Sequence, residues 1–423
     1  SSVSPVLHFG VGNSTQVDSI KINWPSGKSQ ILTNVQTGHR LILKESDAKA
    51  NIEKGIKIIP VFTKTTDLIK LKHEQTEIND FDRQILLPYK LTYTGPILKS
   101  SDVNGDGLED ILLIDSIYLT KVYLQQKNGS FTMHEHTDPI QLKSYRVLDG
   151  DCSVSIDANH DGALDVFVGK RYIPGSYPLS PPSYILLNDG KGNYSKKHQS
   201  FDSLGMVTDA ISIDLNGDSW QDLMVVGDCH PITLLINHQG TFKNETSNYL
   251  DKDLSGFWNT IASAEFNHDQ KPDFIIGNIG LNTQLKANDP EPLSIYYKDF
   301  DKNGSIDPIM SFYIQGKNYP YVTRDEMTKQ LTYLKPRFTS FESYADITMD
   351  NLFQKSELKD ASNYRVNELE TIVLLSEPSG KYKIKRLPIQ AQYSPVKSIV
   401  TAHHGNVSVE SELGRGSTFM IVL

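Results

Sequence analysis

Residues Asp102 to Asp110 read DVNGDGLED, and the same nine-residue arrangement returns four times along the chain. It appears as DANHDGALD at Asp157–Asp165, DLNGDSWQD at Asp214–Asp222, EFNHDQKPD at Glu265–Asp273 and DFDKNGSID at Asp299–Asp307. The first four copies begin at residues 102, 157, 214 and 265, so their spacings are 55, 57 and 51 residues, close to one blade of a β-propeller. The fifth follows after 34 residues and breaks the period. Apolar runs flank the copies: Ile97-Leu98 and Ile111 to Ile114 around the first, Val154 to Ile156 and Val166 to Val168 around the second. Each such pair predicts a hairpin. A second hairpin signal follows: Val122 to Leu124 before Asn128-Gly129, Tyr184 to Leu187 before Asp189-Gly190, Leu234 to Ile236 before Gln239-Gly240, and Ile372 to Leu375 before Ser379-Gly380. Two hairpins per period make four strands, and the predicted fold is all-β: a partial propeller over 97–395.

Three regions depart from the repeat. In residues 1–45, Ile20, Ile22 and Trp24 alternate with polar residues ahead of Pro25-Ser26-Gly27, then come Ile31 to Val35 and Leu41 to Leu43, which predicts a small separate β module. Residues 46–96 read as a linker and lead-in, ending in a strand at Leu86-Leu87-Pro88. Across about 320–365 the strand signals fade, and Met327, Leu331, Leu334, Ile347, Leu352 and Phe353 predict a helical insertion.

The repeated loop sets oxygen-bearing side chains at positions 1, 3, 5 and 9, with the backbone carbonyl at position 7 completing a ring of hard donors. That is calcium chemistry, because magnesium demands a tighter octahedron and keeps its waters. The predicted ligands are Asp102, Asn104, Asp106, Asp110 and the Leu108 carbonyl; Asp157, Asn159, Asp161, Asp165 and Ala163; and Asp214, Asn216, Asp218, Asp222 and Trp220. The fourth and fifth loops offer Glu265, Asn267, Asp269, Asp273 and Lys271, then Asp299, Asp301, Asn303, Asp307 and Ser305. Gly107, Gly162 and Gly304 stand at the sharp turn, Ser219 replaces them in loop three, and loop four, with Glu265 first and Gln270 at the turn, is the weakest. Asp, Asn and Gly also dominate turns that hold no metal. Five matching copies with three carboxylates each, however, would crowd like charges that repel when unneutralised.

Composition narrows the function. Lys plus Arg total 42 against 51 Asp plus Glu, a formal charge of −9, so the footprint of a nucleic-acid binder is missing. Five dications would bring that charge to about +1, so the loops account for the acidity. No run of ~18 apolar residues exists to span a membrane, and Ser1 opens into Pro5-Val6-Leu7 without a signal peptide. Cys152 and Cys229 are the only cysteines and read as two buried free thiols.

The loops closely resemble the FG-GAP and VCBS repeats of integrin-like β-propellers. His8-Phe9-Gly10-Val11-Gly12, Val17 to Trp24, Pro25-Ser26-Gly27 and Leu32 to Val35 resemble the ASPIC/UnbV module that accompanies such repeats in the cartilage acidic protein-like family. The same likeness extends to Lys72-His73-Glu74, Asp80 to Arg83, Gly277 to Asn282 and Leu387 to Pro395. It implies a secreted or cell-surface protein that binds proteins or glycans. Beyond Pro395, Val396 to Val400, His403-His404-Gly405 and Val409 to Phe419 resemble the last segment of a sensor histidine kinase ATPase domain, without that domain's earlier nucleotide-binding boxes. Residues 396–423 therefore read as a grafted or misjoined tail.

Other motifs are weaker. Gly27-Lys28-Ser29 ends like a P-loop, but Ile22 stands where its first glycine belongs. His134-Glu135-His136 lacks a third metal ligand, and no Gly-x-Ser-x-Gly or His-Glu-x-x-His occurs. Tyr319, Tyr321, Tyr333, Phe338, Phe341 and Tyr344 are expected to pack on the propeller, with stacking on a sugar or partner as the alternative. The expectation is a noncatalytic, calcium-binding extracellular scaffold; an ATP-dependent sensor kinase fragment and a glycan-active enzyme are the competing classes.

Overall fold

The computed structural model describes residues 9–24, 26, 28–50, 79–91, 97–102, 106–114, 119–137, 152–173, 175–188, 194–195, 198–399, 408–412 and 416–420. The chain divides into two compact units, 1–67 and 68–423.

In the first unit, β1 (Gln16–Asn23) and β2 (Lys28–Gln36) form an antiparallel hairpin, and β3 (Lys49–Ala50) adds to its edge. The expected strand at Leu41–Leu43 does not form, and Ile42 is 81% exposed, with no strand facing it among the described residues.

The second unit contains four successive four-stranded antiparallel blades. The first is β4 (Ile97–Ser101), β5 (Asp110–Ile114), β6 (Leu119–Gln125) and β7 (Phe131–Thr137). The second is β8 (Cys152–Ile156), β9 (Asp165–Gly169), β10 (Ser183–Asn188) and β11 (Tyr194–Ser195), with β12 (Ser200–Phe201) also on β10. The third is β13 (Met206–Ile213), β14 (Asp222–Pro231), β15 (Thr233–His238) and β16 (Thr241–Asn244), with β17 (Ser255–Phe257) on the far end of β14. Acidic loops join the first and second strand of each blade. Expected turns appear at Gly129, at Gln239-Gly240, where both residues are left-handed, and at Gly380; Asp189-Gly190 lies outside the described residues.

The fourth blade explains the broken period. It starts with β18 (Thr260–Ala264) and β19 (Asp273–Gly277), and then the chain leaves the sheet. It builds a separate sheet from β20 (Leu293–Lys298), β21 (Asp307–Ile314), β22 (Lys317–Pro320) and β23 (Ser362–Val366) before returning to complete the blade with β24 (Ile372–Ser376) and β25 (Tyr382–Arg386). The fifth acidic loop joins β20 to β21, so it belongs to this inserted sheet. The insertion thus runs over 278–371, wider than the helical stretch expected at 320–365, because strands frame the helices at both ends.

Blade packing follows from period-two patterning. Along β14, Leu223 and Val225 join a core with Phe167 and Ile185 of blade two, while Met224 and Val226 join one with Phe274, Ile276 and Leu374 of blade four. A strand apolar on both faces is what a sheet sandwiched between two others requires. The inserted sheet repeats the device: Leu293, Ile295 and Met310 pack beside Met206 and Phe257, whereas Ile309 joins the helical core of Met327, Leu331 and Phe353.

The lead-in differs from expectation. Leu86-Leu87-Pro88 is no strand: a 3₁₀ turn at Asp80–Asp82 and further turns fold 79–91 into a strap that buries Asp80, Gln84, Leu86, Leu87 and Leu91. Gln84 donates to the carbonyls of Tyr177 and Ile306 and accepts from Tyr177 N–H, bonds that consume the polarity of a fully buried amide. Cys152 and Cys229 are both buried, and neither forms a disulfide. After Pro395, Val396 remains in the body, 1% exposed with its N–H bonded to the Asn278 carbonyl. Farther on, β26 (Ser408–Glu412) pairs with β27 (Gly416–Met420) as a two-stranded hairpin. Among the described residues no helix is long and apolar enough to cross a membrane.

Candidate metal centres in the acidic loops

Five loops of different sequence share one hydrogen-bond plan. The first side chain accepts the N–H of position six at 2.8–3.0 Å: Gly107 on Asp102, Gly162 on Asp157, Ser219 on Asp214, Gln270 on Glu265 and Gly304 on Asp299. The fifth side chain accepts the N–H of position seven at 2.7–2.9 Å: Leu108 on Asp106, Ala163 on Asp161, Trp220 on Asp218, Lys271 on Asp269 and Ser305 on Asn303. Position-three side chains accept from the next ligand's N–H, as Asn159, Asn216, Asn267 and Asp301 do; Asn104 lies outside the described residues.

The turn demands left-handed backbone at position six in every loop and at position four in each loop described there. Gly107, Gly162 and Gly304 meet it without strain, whereas Ser219 (φ 72°) and Gln270 (φ 65°) carry a Cβ into that region. Gly217 takes position four of loop three; His160, His268 and Lys302 occupy it in loops two, four and five.

The ninth aspartates form a class of their own. Asp110, Asp165, Asp222, Asp273 and Asp307 are all fully buried. In loops two to five one carboxylate oxygen accepts the position-two N–H: Ala158, Leu215, Phe266 and Phe300. The other oxygen reaches the end of the blade's third strand, to the N–H of Gln125, Asn188, Asn237 and Ser376 in loops one to four. In loop five, Gln330 Nε2 takes that place at 2.7 Å, from the helix Arg324–Gln330 that the Thr323–Glu326 capping box starts.

These bonds set the electrostatics. Burial raises Asp165, Asp222 and Asp307 from the ordinary carboxylate value, against hydrogen bonds that oppose it, and the other loop carboxylates add to the rise. The Gln270 N–H holds Glu265 low, and the Ser376 hydroxyl, 2.7 Å from Asp269, holds Asp269 low. In loop five, one carboxylate oxygen each from Asp299, Asp301 and Asp307 lies within 4.8 Å of the others.

Sequence reasoning missed the residues that join neighbouring loops. Gln221 Oε1 accepts the Asp157 N–H at 2.8 Å, so loop three holds the first residue of loop two. Trp220 lies against His160, ring centroids 5.0 Å apart. Ser376 and Gln330 close loops four and five from elements 103 and 23 residues away, and no local spacing signals either. Of the aromatic group, Phe338 and Tyr344 are buried as expected, whereas Tyr333 and Phe341 are exposed. The side chains of His134 and His136 lie outside the described residues.

Residues 1–50 match the ASPIC and UnbV family, and residues 102–168 and 214–276 match the FG-GAP-like repeat family. No curated protein matches the chain. Similar solved structures include BBS1N in complex with ARL6DN, at 11% identity over 72% of this chain and 95% of that one, with a TM-score of 0.28. The V. cholerae biofilm matrix protein Bap1 is 11% identical over 70% of this chain and 66% of its own, with a TM-score of 0.21. At such scores neither likeness bears on fold or function. The matched repeats begin at the first residues of loops one and three and end in the strands that follow loops two and four. The chain thus joins an ASPIC/UnbV segment to FG-GAP-like repeats of an all-β, propeller-like fold, with four of its five acidic loops inside the matched repeats.

Proposed function

We propose that this chain is a noncatalytic binding scaffold, secreted or held at the cell surface, whose loops bind calcium and whose propeller engages a protein or glycan partner. The observation that carries the reading is the hydrogen-bond plan shared by five loops of different sequence, together with loop five, where carboxylate oxygens of Asp299, Asp301 and Asp307 lie within 4.8 Å of one another. Hard oxygen donors in that number suit calcium. Bound calcium would neutralise the carboxylates and fix the loop between its two strands. A binding role is favoured over catalysis because the loop carboxylates described are engaged as hydrogen-bond acceptors from the backbone, not left as proton carriers.

Loop four supports calcium least. Its Glu265 is a methylene longer, and Asp269 already accepts the Ser376 hydroxyl while Asn267 donates to the Ser376 carbonyl at 2.9 Å. Calorimetric titration of chelator-stripped protein tests the assignment: Asp106→Ala and Asp161→Ala should each lower the calcium stoichiometry by about one, and Asp269→Ala should leave it unchanged. Equal losses in all three variants would refute the ranking.

A further inference from the structure

A cleft of about 470 Å³ opens where the β21–β22 hairpin meets the turn at Tyr344–Ile347. Phe312 and Tyr319 are directly opposed across the hairpin and so share one face of the sheet, with Tyr321 diagonal to Phe312 and its ring edge-on at 6.1 Å. Gln284 and Asp346 stand at the rim. The hydroxyls of Tyr319 and Tyr321, the Gln284 amide and the Asp346 carboxylate make no hydrogen bond among the described residues. Among the described residues no lysine, arginine or histidine lines the cleft.

We propose that this cleft binds a neutral saccharide, an inference that rests on the binding-scaffold reading and names its partner class. A pyranose ring offers an apolar C–H face to an aromatic strip and hydroxyls around its rim, which is the division of chemistry found here. The volume falls in the range of small-ligand sites and admits a short oligosaccharide. Anionic ligands are disfavoured because, among the described residues, the only charge on the lining is the Asp346 carboxylate. A peptide added as a strand is excluded as well: the free edge of β22 is four residues long and ends at Pro320.

The test uses the calcium-saturated full chain and saturation-transfer NMR with cellotriose, maltotriose, mannotriose and chitotriose, with trigalacturonate as the acidic arm. At least one neutral trisaccharide should bind. Tyr319→Ala should weaken it about ten-fold or more, Tyr319→Phe should hold it within about three-fold, and Phe341→Ala, at an exposed ring outside the cleft, should change nothing. No binding by any neutral trisaccharide, preference for trigalacturonate, or unchanged affinity in Tyr319→Ala would overturn the proposal. Calcium uptake measured on the same samples reports the loop reading separately, so the two can fail independently.

Discussion

Asp222 shows how one side chain can hold a blade. Its two oxygens tie Leu215 of the loop to Asn237 at the end of β15, at 2.9 and 2.7 Å, with no exposure to water. Removing it strands two backbone donors, so Asp222→Ala should cost roughly 2–5 kcal/mol even in chelator. Asp218→Ala, at an exposed position that accepts only local donors, should cost less than about 1 kcal/mol under the same conditions. Urea unfolding in chelator compares them, and equal costs would refute the clasp. At the neighbouring turn position, Gln270→Gly should raise stability by about 1 kcal/mol by releasing a left-handed residue; a lower midpoint would show the strain is not there.

His230 belongs to the same scale. Burial against Gly205 and Tyr364 lowers its pKa to about 4, with Asp228 opposing, and its Nε2 has no hydrogen-bond partner among the described residues. The unfolded value is near 6.5, so the unfolded chain binds the proton first as pH falls. Stability from this group is whole above ~6.5 and is lost between ~6.5 and ~4, up to about 3 kcal/mol. His230→Phe should therefore match the parent at pH 7 and surpass it at pH 4.5 in thermal melts; parallel pH profiles would contradict the assignment. The ninth aspartates stood out in sequence as candidate ligands, but the backbone bonds they make were not legible there. Their partners are backbone groups a strand or more away, fixed by sheet register and carrying no side-chain signal.

Among the elements, the strand pairs around each loop were legible because apolar runs bracket a turn of fixed chemistry. The insertion was legible only as a disturbance. A spacing of 34 residues announces that something intervenes, but which strand resumes the blade depends on Ile372 to Leu374 pairing with Phe274 to Ile276, a non-local choice. The segments at Gly277–Asn282 and Leu387–Pro395 prove to be the seam of that insertion. Asn278 Nδ2 donates to the Glu368 carbonyl, Leu281 N–H to the Gln392 carbonyl, and Gln392 exchanges bonds with the Thr371 backbone. The body therefore continues past Pro395 to Val396. Val396→Ala should cost about 2 kcal/mol, whereas deleting 400–423 should leave the melting midpoint unchanged. A midpoint that falls with the deletion would make the tail part of the blade.

At the scale of the whole molecule, the five loops couple charge to fold. Loops two and three touch through Gln221 and the Trp220–His160 pair, and loop five reaches the lead-in through Gln330, whose Oε1 accepts the Ile85 N–H at 3.1 Å. Cations bound only by the folded state would stabilise it by about 2.7 kcal/mol per site at ~100-fold saturation. The most direct measurement is the thermal melt of the full chain in millimolar calcium and in excess chelator. The account predicts a midpoint that rises with calcium and falls with chelator; the same midpoint in both would contradict it.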